Sequence, residues 1–83
     1  MFTVFLDANI FFAAARSSTG GSYFIIELAK RRQIKVVTVA YALAEAERNI
    51  GKKLGSKALY VHYENLIAIH PTLQSVAYMP PEL

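Results

Sequence analysis

The sequence predicts an α/β domain with three layers, a three-stranded parallel sheet with flanking helices, in the order β-α-α-β-α-α-β. Three observations lead there. Short apolar runs near positions 4–6, 34–40 and 73–79 have the length and the β-branched or aromatic content of strands. Stretches of good helix formers with apolar residues at helical spacing lie between them. Glycine and proline punctuate the joins at Gly20-Gly21, Gly55, Pro71 and Pro80-Pro81. Strands alternating with helices argue for a parallel sheet, and right-handed crossovers are the default for such units.

The elements follow in order. Val4–Leu6 is apolar without alternation, which suits a buried parallel strand ended by Asp7-Ala8-Asn9. Ile10–Ala15 forms a short helical turn, and 16–22 (RSSTGGS) has loop chemistry. Ser22 is a good N-cap for a helix running to Arg32, with Phe24, Ile25, Leu28 and Ala29 on one stripe. Positions 34–40 (IKVVTVA) are the clearest strand. The helix over 41–55 carries Leu43, Ala46, Ile50 and Leu54 near one face, and Gly55 closes it. Ser56 caps a helix over 57–69 that ends near Pro71. A third strand over 73–79 stops at Pro80-Pro81.

With 83 residues the chain makes one small domain, and such a domain buries only about 60–65% of its unfolded surface. The absence of cysteine excludes disulfides and thiolate metal sites and fits a cytoplasmic protein. Apolar residues make up 54% and charged residues 18%, an apolar excess that points to surface covered by a partner or by further parts of a fold. The net charge of +3 reads equally as ordinary solubility or as a match for an anionic partner such as RNA or DNA. The N-terminal stretch lacks a basic region and is interrupted by Asp7, so it is not read as a signal peptide. No run reaches the roughly 18 apolar residues of a membrane helix, so no membrane partner is expected.

Asp7 and Glu45 are the candidate metal-binding and catalytic residues. Asp7 stands at the carboxyl end of the first strand, where ligands bind in open α/β sheets. Glu45 lies one turn into the helix after the second strand. If those strands are neighbours, the two carboxylates share a crevice and suit a hard cation such as Mg²⁺. The plainer reading makes Asp7 an N-cap and Glu45 a solvated helix residue. Asn9 either orients Asp7 or a water, or caps the next turn. Glu47 is expected in exposed ion pairs. Arg48, Lys52 and Lys53, with Lys57, form one basic cluster and Lys30, Arg31, Arg32 and Lys35 another; either could track phosphates, and the plainer reading is solvated helix ends. His62 and His70 lack metal-ligand spacing and receive no role. Phe24, Tyr60 and Tyr63 are expected in the core. Ser17, Ser18 and Thr19 stand near the first crevice without a Walker pattern around them.

Three features together carry a family resemblance: an apolar strand ending in Asp7-Ala8-Asn9, a Gly20-Gly21-Ser22 loop opening the second helix, and a strand followed by 42–50 (ALAEAERNI). Over roughly positions 2–70 the chain resembles the N-terminal half of a PIN domain, the fold of VapC-like toxin ribonucleases. The resemblance implies hydrolysis of RNA phosphodiester bonds with Mg²⁺ or Mn²⁺ held by carboxylates. It places the family's first two acids at Asp7 and Glu45 and its following polar residue at Asn9. It implies an antitoxin protein as a partner. The family site uses three or four acids, and this chain has no aspartate after Asp7; its later acids are Glu47, Glu64 and Glu82. The expectation is therefore a truncated PIN domain lacking the C-terminal strands, incomplete as a nuclease, with a non-catalytic module for protein interaction or RNA binding as the alternative. In the family's strand order the first strand is central. Here it becomes an edge, so a homodimer or higher oligomer covering it is expected. A two-fold pairing there would bring two Asp7 carboxylates near each other.

Overall fold

In the computed structural model, which describes residues 1–75, the chain runs β1 (Phe2–Phe5), α1 (Ala8–Arg16), α2 (Gly21–Lys30), β2 (Ile34–Thr38), α3 (Ala40–Lys53), α4 (Ser56–Ile69) and β3 (Thr72–Leu73). The element order is the expected one. All strand pairs are parallel, in the order β1-β2-β3, with Phe2 beside Ile34 and Phe5 beside Val37. The strand expected over 73–79 begins at Thr72, and positions 76–79 lie outside the described residues.

Alternation along the strands sets the core. Leu6, Val36 and Thr38 are buried, whereas Thr3, Phe5 and Lys35 are exposed. Val4, Leu6, Ile34 and Val36 join one apolar cluster with Phe11 and Ala14 of α1, Ile26 and Ala29 of α2, Ala46 and Ile50 of α3 and Ile69 of α4. Every helix thus packs on the same sheet face, as successive right-handed crossovers advancing in one direction require. Among the described residues the sheet has a single helix layer, where three layers were expected, and the opposite face is bare.

Several ends differ from expectation for local reasons. Helix α2 starts at Gly21, ahead of Ser22, with Gly20 as an N-cap that offers backbone only. Its inward stripe is Ile26 and Ala29, which turns Phe24 outward. Arg32 adopts a left-handed φ of 61° to end the helix, and its guanidinium donates to the Ile69 carbonyl at 3.4 Å. Gly55 (φ 95°) both follows α3 and caps α4 through its carbonyl, so Ser56 is the first helical residue and not the cap. His70, at φ 47°, ends α4 before Pro71.

Candidate functional site

The carboxyl edge of the sheet is stitched at two adjacent corners. After β1 the Leu6 N–H donates to the Val37 carbonyl at 3.0 Å. The Thr38 hydroxyl, fully buried, donates to the Leu6 carbonyl at 2.7 Å. The Thr38 carbonyl in turn accepts from the Gln74 N–H at 2.7 Å. Thr38 therefore joins all three strand ends. In the sequence Thr38 or Val39 stands where the resembled family often has a Ser or Thr capping the helix that carries Glu45; the structure makes Val39 the cap and turns the Thr38 hydroxyl to the Leu6 carbonyl instead.

Asp7 is the N-cap of α1. Its extended backbone (φ −93°, ψ −179°) turns the chain into the helix, and Oδ1 accepts from the Ile10 N–H at 3.1 Å. The carboxylate is exposed, and Oδ2 has no hydrogen-bond or ion-pair partner among the described residues. Capping and ligation are compatible here, because the cap occupies one oxygen and leaves the other open. Asn9 is exposed in the first turn of α1 and caps nothing.

Glu45 sits in the second turn of α3, half-buried, and α3 packs against α1. Arg48 and Lys52 follow it at helical spacing on the same stripe, and both are exposed. Lys53 places its ammonium 5.9 Å from the Phe12 ring centroid, a cation–π contact that ties α3 to α1. Val39, the N-cap of α3, provides no side-chain hydrogen bond.

The donor chemistry of Asp7 and Glu45 fits Mg²⁺ or Mn²⁺, which take hard oxygen ligands and retain waters. Among the described residues no group of three or more His, Cys, Asp or Glu is gathered where it could hold a metal ion.

Other sequence readings change. Glu47 makes no ion pair among the described residues; its carboxylate accepts from the Tyr63 hydroxyl, which holds that phenol above its usual pKa. Phe24 and Tyr60 are exposed and not core, and Tyr63 is only partly covered. In the second basic cluster Lys30 pairs with Glu27 at 3.2 Å and Arg32 is tied to α4. Ser18 and Thr19 border a groove of about 300 Å³ along α2, with Tyr23, Phe24 and Arg31. His62, given no role, is almost fully buried, with no partner for Nε2 among the described residues and its ring edge-on to Phe11 at 5.7 Å. Burial pushes its pKa below the ordinary value, against the opposing pull of Glu47. No helix among the described residues is long and apolar enough to cross a membrane.

Comparison with protein-family models, curated proteins and solved structures found no match to this chain.

Proposed function

We propose that the chain is a PIN-like, Mg²⁺- or Mn²⁺-dependent endoribonuclease module of the toxin–antitoxin type, incomplete by itself, whose metal site begins at Asp7 and Glu45. One observation carries the reading: an exposed carboxylate whose Oδ2 has no partner among the described residues closes β1, and the neighbouring strand β2 leads into α3, which carries a second acid, Glu45, in its second turn. That edge is where open α/β sheets bind ligands. The cap bond to Ile10 fixes the Asp7 carboxyl, so Oδ2 meets a cation without first losing side-chain freedom. Arg48 and Lys52, in line with Glu45, offset phosphate charge along the RNA, and Lys53 extends the basic stripe. Held by Asp7 and Glu45, a divalent metal would supply activation of a water and charge stabilisation at the phosphate. Partners on this reading are RNA, a second copy through the first strand, and an antitoxin protein.

RNA cleavage dependent on Mg²⁺ or Mn²⁺, and abolished in Asp7→Asn and Glu45→Gln, is the expected result. Cleavage by Asp7→Asn at the wild-type rate would remove the activity from this site.

A non-catalytic interaction module is the second reading, favoured by the bare sheet face with exposed Phe5. It predicts no cleavage under any metal. Titration with Mg²⁺ separates the two, since the first reading requires binding that Asp7→Asn weakens.

A further inference from the structure

The outer edge of β1 carries a self-complementary pairing code. Within a strand, the N–H and C=O of one residue point to the same side and alternate with those of the next. The Leu6 N–H bonds to Val37, so Phe2, Val4 and Leu6 turn their backbone groups toward β2. Thr3 and Phe5 turn theirs to the open edge. The strand is short, four residues, but no proline and no charged residue lies in Phe2–Phe5 to block edge pairing. Its flank is apolar: Phe2 is 81% exposed and Phe5 53%.

We infer that two copies of this chain pair β1 to β1 in antiparallel register about a two-fold axis at Val4. This extends the second-copy partner proposed above, and it holds or fails separately from the ribonuclease reading. In this register Thr3 and the partner's Phe5 exchange both backbone hydrogen bonds, and symmetry repeats the exchange. A shift by one residue would oppose outward groups to inward ones and lose the bonds. A dyad at Thr3 or at Phe5 would pair only one outward residue with its own copy inside Phe2–Phe5, so the dyad at Val4 is the one that uses both outward residues within the strand. The two Phe5 side chains then lie on the bare face as diagonal cross-strand neighbours, about 7–8 Å apart at the backbone and within aromatic reach. Each exposed Phe5 thus covers the other. Thr3 lies between Lys35 and the partner's Phe5, so no charge faces its like across the seam. A second copy fits because the same two residues supply every donor, every acceptor and the apolar contact. The product is a continuous sheet in the order β3-β2-β1-β1-β2-β3.

The register also decides what the dimer cannot do. Asp7 lies three residues from the dyad, so the two carboxylates stand about 20 Å apart, six residues at ~3.3 Å each. The seam joins two separate sites. It does not rebuild one shared metal site, in contrast to the expectation from a generic two-fold pairing.

Sedimentation equilibrium of the full chain, without RNA or divalent metal, tests this. A dimer of twice 9.2 kDa is expected. A monomer at 200 µM would overturn the inference. Thr3→Pro removes an outward N–H and leaves the β2 bonds alone; Phe5→Lys sets like charges across the dyad. Each is expected to raise the dissociation constant at least tenfold with an unchanged helical circular dichroism spectrum. A dimer indifferent to both places the interface elsewhere. Should Thr3→Pro or Phe5→Lys fail to fold, Val4→Cys decides. The chain has no cysteine, and opposed cysteines at the dyad fall within disulfide reach. Rapid oxidative cross-linking at Val4→Cys but not at Gln33→Cys is expected; equal cross-linking rejects the register. Asp7→Asn leaves the dimer intact, so loss of cleavage and loss of pairing remain distinguishable.

Discussion

Asp7 holds a helix end and offers an open oxygen with the same carboxylate, and substitution separates the two roles. Asparagine caps about as well as aspartate, whereas alanine loses about 1 kcal/mol of cap stabilisation. Asp7→Asn is therefore expected to unfold in urea at nearly the wild-type midpoint while losing metal binding, and Asp7→Ala to lose both. Thr38 makes the opposite kind of contribution, structural and unseen from outside. Thr38→Val leaves the Leu6 carbonyl without its hydroxyl partner, at a cost of about 1–3 kcal/mol read from urea unfolding. His62 couples folding to pH. Its folded pKa lies below the unfolded value of about 6.5, so below that pH the unfolded chain binds the extra proton. Stability is fully present above about pH 7 and falls as pH drops through 6.5. Replacing His62 with leucine should flatten urea midpoints between pH 7.5 and 5.5.

At the scale of elements, the turns are where sequence and structure part. Helices α3 and α4 meet at Gly55, whose φ of 95° and ψ of 178° lie in a region essentially closed to other residues. A Cβ at that position meets nothing within 4 Å. Gly55→Ala should therefore act through backbone strain alone, lowering stability by about 1–3 kcal/mol in thermal or urea unfolding without loss of helix content. The apolar stripe of α3 was legible: Ala46 and Ile50 are buried, and Leu43 and Leu54 pack beside them. That of α2 was misjudged at Phe24. Four apolar residues at 23–26 (YFII) allow more than one helical phase, and the crossover direction selects Ile26 for the core. Caps were misplaced at Ser22 and Ser56, because a preceding glycine carbonyl can start a helix without a side chain.

For the whole molecule, among the described residues the helix layer leaves one sheet face and the outer edge of β1 open, and one basic cluster, Arg48, Lys52 and Lys53, lies on α3. If RNA tracks that stripe, affinity must fall with salt. Neutralising Arg48 and Lys52 together should weaken binding across unrelated RNA sequences and reduce the log–log salt slope by about 0.7 per residue. An unchanged slope would place the RNA elsewhere.

By itself the sequence determined the α/β order, the parallel strands, the helix spans to within a few residues and the place of Asp7 at a strand end. These follow from short-range causes: period, propensity and punctuation. The tertiary structure decided which sheet face is covered, that Thr38 joins three strand ends, that Glu47 holds Tyr63 and that His62 is buried. Each of those depends on residues far apart in the chain meeting across a crossover, and no local pattern records which partners the crossovers bring together.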